Sequence, residues 1–402
     1  MREIFEGVRI LELAQWIFVP STSALLADLG AEVVKIEHPE TGDPSRGLVT
    51  QGLGAMRGGV NLAWEQNNRG KRSVGIDFKQ PEGMELVYRL AERADVFLTS
   101  FRPGALARLG LDVDDLRRRN PRLIYARGHG LGVRGAEADR PCYDMTAFWT
   151  RGGMAHVLSR PGIDPPVGQR PAFGDHSSAM NLAFGIASAL FRRERTGEPS
   201  VVDVSLLSTA MWILSSDVVY SANPDYDPHV PPAARANPLT GMFRTADGRY
   251  LTLVFLQPDR YWPQLCRHMG LEHLIDDPRF ADIEARRQNS AECARILEET
   301  FASRTYEEWL EAFGGLDAPW APMQSVRELR DDPQARANQY MAPVDSPAGI
   351  RYELVANPVQ FDETPHQLTP APEVGADTEA VLLELGLSWD EIAAHKTAGA
   401  IT

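Results

Sequence analysis

Short runs of apolar and β-branched residues alternate with stretches of helical period through the first 130 residues. GVRILEL (7–13), AEVVKIE (31–37), SVGIDF (73–78), DVFLTS (95–100) and RLIYARG (122–128) read as strands, with helices near 20–29 and at EGMELVYRLAERA (82–94). These strands are apolar on both faces, as a parallel sheet covered by helices on both sides requires. The pattern predicts an α/β, Rossmann-like core. A long helix is predicted over 176–195, then a strand at VVDVSL (201–206) and an apolar helical stretch to about 221.

The pattern breaks at SANPDYDPHVPPAARANP (221–238), dense in proline and small polar residues and without a period, as expected of a linker. Beyond it TGMFRTADGRYLTLVFL reads as two strands around an Asp247-Gly248 turn, followed by amphipathic helices at 258–269, 284–302 and 305–314. That outlines a smaller α+β unit. From about 331 the chain reads as irregular until a final helical stretch near 377–396.

At 402 residues, 43% hydrophobic and 24% charged, the chain has the composition of a folded globular protein. No apolar run is long enough to cross a bilayer, and MREIFEGVRILEL lacks the parts of a signal peptide, so a cytoplasmic location without membrane attachment is expected. A net charge of −14 argues against a nucleic-acid groove or an anionic membrane surface as partner. Any anionic ligand then needs a local basic cluster. Cys142, Cys266 and Cys293 are far apart, and the nine histidines form no H-x-x-x-H, so neither a disulfide framework nor a metal site is expected. GLGVRG (130–135) fits G-x-G-x-x-G, but AEADRPCYD follows where a dinucleotide site needs a helix, and it reads as a glycine-rich loop.

Two carboxylates stand at predicted helix starts. Asp175, after Gly174, is placed to accept hydrogen bonds from the free N–H groups of the first turn, which would cap the helix and lower its pKa. The same environment would keep a carboxylate nucleophile ionised, so capping and chemistry are compatible. Asp144, after Tyr143, precedes a stretch carrying Phe148, Trp149 and Arg151; it reads equally as a cap with aromatic core behind it and as a functional acid. Basic residues gather in NNRGKRSVGIDFK (Arg69, Lys71, Arg72, Lys79), in FRPGALARLG (Arg102, Arg108) and around His38 and Arg46. Each cluster is a solvated surface or a phosphate contact.

Taken in order, these segments resemble the class III CoA-transferases, the CaiB/BaiF family. The resemblance rests on GVRILELAQWIFVPSTSALLADLGAEVVKIEHPETGDPSRG, NRGKRSVGIDFKQPEG, FRPGALARLGL, NPRLIYARGHGLG, CYDMTAFWTRGGM, FGDHSSAMNLAFGIASALFRRERTGEPSVVDVSL and FRTADGRYLTL, and extends more weakly to the end. Each piece alone is weak; the ordered set is specific. It implies a large Rossmann-like domain (1–222) completed by the returning 331–402, a linker (223–238), a small domain (239–330) and an interlocked homodimer. It also implies catalysis by Asp175 of the Gly174-Asp175 pair, with Tyr143 and Asp144 beside it, through a mixed anhydride and an aspartyl-CoA thioester. Backbone N–H groups at the helix start would receive the developing oxyanions. The CoA contacts it implies are Gln15, Trp16, Ile17, Phe18, His38, Lys71, Arg72, Ser100, Phe101 and Arg108. The family often has arginine where His38 stands, which points to a pH-dependent phosphate contact. Coenzyme A is substrate here, an acyl-CoA and a carboxylic acid are the partners, and no metal or prosthetic group is implied.

Two departures bear on substrate. Many members read Y-D-x-x-x-Q-A where this chain has Tyr143-Asp144-Met145-Thr146-Ala147-Phe148-Trp149, and the oxalate-handling members carry a glycine-rich loop where it has ARANPLTGMF. Both point to a bulkier, more apolar acyl group than a small doubly charged acid. Two other activities compete. An α-methylacyl-CoA racemase of the same superfamily would need a base where this chain has Tyr143, and a phenol with a pKa of about 10 is a poor one; His129 and His156 lie nearby in sequence. A non-catalytic CoA-binding subunit would have no need of Asp175.

Overall fold

Six parallel strands make the main sheet: β1 (Arg9–Leu13), β2 (Glu32–Glu37), β3 (Arg72–Gly75), β4 (Val96–Thr99), β5 (Ile124–His129) and β6 (Val201–Ser205), in the spatial order 3-2-1-4-5-6. They are seen in a computed structural model that describes residues 4–50, 56–229 and 237–402. Part of the predicted linker, residues 230–236, lies outside the described residues. The strand order is that of doubly wound dinucleotide-binding folds, in which the chain moves one way from β1 and the other way from β4.

Side chains alternate between the two faces of the sheet, and both faces are buried. Ile10, Val33, Val96, Leu98, Ile124 and Ala126 enter one core with α1 (Phe18–Asp28) and α3 (Phe173–Thr196), and a short helix that the hydrophobic pattern does not announce, α2 (Leu62–Asn68), lies between α1 and α3 in the chain. Leu11, Leu13, Ile36, Val74, Phe97 and Tyr125 enter a second core, shared with the helices Pro81–Arg93, Pro103–Leu109 and Thr378–Glu384. At roughly 25 cal/mol per Å² of apolar surface removed from water, this two-sided burial is the main source of the sheet's stability. After β6 the apolar stretch folds as two short helices, α4 (Leu206–Ile213) and Ser215–Tyr220.

The chain divides into two units, one built from residues up to Pro224 with Pro333–Thr402, the other from Asp225–Asp332. In the first unit the tail is not irregular from 331, as expected above: Pro333–Ala337 is helical and Met341–Asp345 pairs with Arg351–Val355 as a hairpin. Pro343 and the charges of these strands hide the apolar alternation. The last residues return to the sheet, where Ile401 bridges Ile76 and the Thr402 N–H donates to the Gly75 carbonyl at 3.3 Å.

In the second unit, β7 (Thr240–Arg244) and β8 (Tyr250–Val254) flank the predicted Asp247-Gly248 turn, and β9 (Trp320–Pro322) adds a third antiparallel strand. Gly248 has φ +83°, the left-handed conformation such a turn asks of glycine. The helix expected over 284–302 is two, Ile283–Gln288 and Ser290–Phe301, separated at Asn289. Phe243, Trp262, Phe301, Trp309 and Phe313 fill this unit's core.

Candidate active site

In a doubly wound sheet a crevice opens beyond the carboxyl ends of the strands where the order reverses. Here those strands are β1 and β4. After Leu13 the chain turns through Ala14–Ile17 into α1, and after Thr99 through Ser100–Arg102 into the helix Pro103–Leu109. The Gln15 N–H donates to Ser100 Oγ at 3.0 Å and ties the two turns together. Trp16 has φ +71°, a left-handed conformation that residues with a side chain seldom adopt. Its N–H donates to Asp43 Oδ1 at 3.1 Å, and its indole meets the Tyr143 ring edge to face with centroids 5.4 Å apart.

Beneath this turn lie charges that an apolar parallel strand would not be expected to carry. Glu12 and Lys35 face each other in register on β1 and β2, fully buried, with Lys35 Nζ 2.8 Å from Glu12 Oε1. Lys71 Nζ meets the other Glu12 oxygen at 2.9 Å, and Lys35 Nζ also reaches Asp43 Oδ2 at 2.9 Å. Burial would raise the Glu12 pKa, but Lys35 and Lys71 outweigh it and hold the carboxyl at about 2. Burial brings Lys71 down to about 8 in spite of Glu12.

The second half of the site comes from α3. This helix starts at Phe173, earlier than the predicted 176, after Ala172 in a left-handed conformation. Asp175 is therefore the third helical residue and not its cap, and among the described residues nothing donates a hydrogen bond to its carboxyl. The cap is supplied from another segment: Asp144 Oδ2 accepts from the N–H groups of Gly174 at 3.1 Å and Asp175 at 3.3 Å. The expectation that capping keeps Asp175 ionised is corrected accordingly. Asp175 is half-buried with its carboxyl crowded by protein, and burial first, then the Asp144 charge, raise its pKa to about 8. Asp144 is raised as well, because burial outweighs the hydrogen bonds it accepts. The amides of Gly174 and Asp175 are thus engaged by Asp144, and not held free for an oxyanion as expected.

Phe148 and Trp149 lie in a π-helical turn, Met145–Arg151, and are buried. Both rings meet Phe173, at 5.8 and 6.3 Å, and Trp149 Nε1 donates to the Val167 carbonyl at 2.9 Å. They are core. A Cβ built on Gly174 would overlap Asp144 Oδ1 and the Phe148 ring, so close approach accounts for this glycine. His176 Nε2 lies 2.9 Å from Asn67 Oδ1, which also accepts from Ser21 Oγ at 2.7 Å. The first turns of α1 and α3 are thereby joined through α2, and neutral His176 carries its proton on Nε2.

Of the residues expected to contact CoA, Gln15, Trp16, Ile17, Phe18, Ser100 and Phe101 come together at the switch point, although Phe18 is largely buried in the core. Arg108 is exposed in the last turn of Pro103–Leu109, without an ion pair among the described residues. His38 follows β2 and accepts at Nδ1 from the N–H groups of Glu40 and Thr41, at 3.3 and 3.4 Å. Two expectations need correction. Lys71 is buried, and its ammonium is spent on Glu12, the Pro20 carbonyl and Asn68 Oδ1, the last two at 2.8 Å, so it has no donor left for a phosphate. Arg72 turns to Glu384, at 2.7 Å, and to Glu32 at the start of β2, which neutralise it away from the crevice. Sequence reasoning passed over Asp43, Glu12 and Lys35. The signal was present for two of them, since a charge inside a strand apolar on both faces needs a buried partner.

Residues 5–378 match the family described as CoA-transferase family III. The chain is 32% identical over 393 residues to the (R)-2-hydroxy-4-methylpentanoate CoA-transferase of Clostridioides difficile, covering 97% of each. It is 32% identical over 401 residues to the cinnamoyl-CoA:phenyllactate CoA-transferase of Clostridium sporogenes, covering 97% of this chain and 95% of that one. Among solved structures, a CaiB/BaiF family protein from Brucella suis matches with a TM-score of 0.80 at 29% identity, over 95% of this chain and 99% of that one.

Proposed function

The chain belongs to CoA-transferase family III, and on that premise we propose that it moves CoA from an acyl-CoA to a carboxylic acid with Asp175 as the covalent carrier. The observation that supports this role is the state of the Asp175 carboxyl: crowded by protein, without a hydrogen bond among the described residues, and facing a like charge on Asp144. A poorly solvated carboxylate is a strong nucleophile, and every acylated form of it is neutral. The site opposes the free carboxylate and favours the anhydride and the thioester.

A carboxylate oxygen of Asp175 attacks the thioester carbonyl; the C–S bond breaks and CoA leaves as thiolate, giving a mixed anhydride. The thiolate then attacks the Asp175 carbonyl, the donor acid leaves as carboxylate, and an enzyme-CoA thioester remains. An acceptor carboxylate runs the two steps in reverse, leaves as the new CoA ester and restores Asp175. Asp144 holds the first turn of α3 so that this side chain stays placed. The turns Gln15–Phe18 and Ser100–Phe101, with His38 and Arg108, receive CoA, and the larger unit is the CoA-binding and catalytic domain. The relatives named for 2-hydroxy-4-methylpentanoate and phenyllactate support a monocarboxylic acid with a branched or aromatic side chain as acceptor.

The unit that works is a homodimer. Phe184, Phe191 and Trp212 are 75%, 64% and 74% exposed, on the outer sides of α3 and α4, beside exposed Met180 and Met211. An apolar surface of this kind calls for a partner. Phe184→Asp combined with Trp212→Asp should turn a dimer into a monomer in sedimentation velocity; an unchanged sedimentation coefficient would place the interface elsewhere.

The covalent carrier is tested by intact-mass measurement after incubation with a panel of acyl-CoAs and trapping with hydroxylamine or borohydride. A mark on Asp175 that is absent from Asp175→Asn is the expected result, and the acyl-CoA that produces it identifies the donor. Binding without a mark, together with exchange of the α-proton in deuterated water, would replace the transferase reading with that of a racemase.

A further inference from the structure

We propose that the buried cluster of Glu12, Lys35, Asp43 and Lys71 is a positioning device that fixes the turn Ala14–Ile17 and the start of α1 in the shape that receives the CoA thioester. The inference rests on the function proposed above. Lys35 Nζ donates to the Ala14 carbonyl at 2.8 Å, Asp43 Oδ1 accepts from the Trp16 N–H at 3.1 Å, and Lys71 Nζ donates to the Pro20 carbonyl at 2.8 Å. Glu12 holds both lysines and accepts from Ser23 Oγ, which lies one turn further along α1. Three of these four buried charges therefore grip the backbone, at Ala14 and Trp16 of the irregular turn and at Pro20 in the first turn of α1, and the fourth, Glu12, holds the two lysines.

A buried ion pair is an inefficient way to hold a sheet together, since apolar side chains of similar volume do as well or better. What apolar side chains cannot do is hydrogen-bond the backbone of a turn that has no regular pairing of its own. Trp16 needs such bonding, because φ +71° is a conformation that a residue with a Cβ leaves unless its surroundings insist. From Trp16 the constraint passes on. Its indole abuts Tyr143, whose neighbour Asp144 clamps the amides of Gly174 and Asp175. The cluster touches neither substrate nor nucleophile, and acts on both through the backbone of the turn.

The first test uses the unaltered protein. By hydrogen exchange the Trp16 amide should be as protected as those of β1, although it lies in a turn; exchange at the rate of a free loop amide would overturn the proposal. In Asp43→Ala, amides 14–18 should exchange faster while those of β4 and β5 do not change, and KM for acyl-CoA should rise about tenfold with a smaller change in kcat. Asp43→Asn retains an acceptor for Trp16 and should restore most of the KM. Leu116→Ala, which opens a cavity in the second core and leaves α3 untouched, controls for general loss of stability. An equal rise of KM in that control would reduce the cluster to a structural role. Normal protection of Trp16 in a protein that binds no acyl-CoA by calorimetry would leave the grip on the turn intact and sink the CoA reading instead.

Discussion

Asparagine in place of Asp175 is expected to lower turnover by about four orders of magnitude or more, the scale seen when a covalent catalyst loses its nucleophile, with acyl-CoA binding nearly unchanged. The side chain is isosteric and the carboxyl it replaces accepts no hydrogen bond among the described residues, so the loss should be chemical and not conformational. Thermal unfolding separates the two. The folded-state pKa of Asp175, about 8, lies above the ordinary 3.8, so its contribution to stability is full below pH 4 and is lost as pH rises toward 8. Asparagine does not ionise. The variant should match the wild type near pH 4 and melt at a higher temperature than the wild type at pH 8 and above. A variant that melts lower at pH 8 would contradict the burial argument.

The same pKa sets the pH dependence of the wild type. With Asp175 as the proposed nucleophile, only its carboxylate form attacks, so kcat/KM should fall about tenfold for each pH unit below the pKa of the free enzyme, with the limb beginning near pH 8. Burial is the larger cause and Asp144 the second, so Asp144→Asn should move the limb to lower pH without abolishing it. Asparagine can still accept from the amides of Gly174 and Asp175. A limb that stays in place would mean that the two carboxyls do not communicate.

The second large effect is expected at Gly174→Ala. The added methyl has nowhere to go: the Asp144 carboxylate and the Phe148 ring occupy its place, and both are held, one by the amides it accepts from and the other by the aromatic packing around Phe173. Overpacking of this kind costs about 1–3 kcal/mol of stability. The cost to turnover is greater in proportion, about a hundredfold, because the displaced element carries the proposed nucleophile and a shift of about 1 Å is enough. Urea unfolding alongside kcat checks both numbers; normal turnover in a destabilised Gly174→Ala protein would mean that Asp175 tolerates more freedom than its clamp suggests.

The parts of this fold that sequence makes visible are those determined by local periodicity. Strands apolar on both faces foretold the parallel sheet, and the Asp247-Gly248 turn foretold a hairpin, because side-chain period and turn chemistry act within a few residues. Three short helices, Leu62–Asn68, Pro103–Leu109 and Val113–Arg119, escaped notice because each is too brief for its period to stand out. In the site, Asp175 and Asp144 were legible as carboxylates at helix starts, but their division of labour was not. Which carboxylate caps α3 is decided by a contact across 31 residues, and neither local sequence holds that information. Lys71 and Arg72 illustrate the same limit: as letters they form a basic turn, while in space Glu12 and Glu384 take them in opposite directions.

The helix that begins at Phe173 bears the proposed nucleophile in its first turn and the exposed Phe184 and Phe191 further along its outer side. At 1.5 Å per residue it is a single rod roughly 36 Å long, stiff enough that what seats one end also seats the other. Substitutions on its outer side, remote from any substrate, would register in an assay as catalytic defects. Selection on chemistry would therefore constrain the proposed association surface as well, and the two ends of the helix would drift only together.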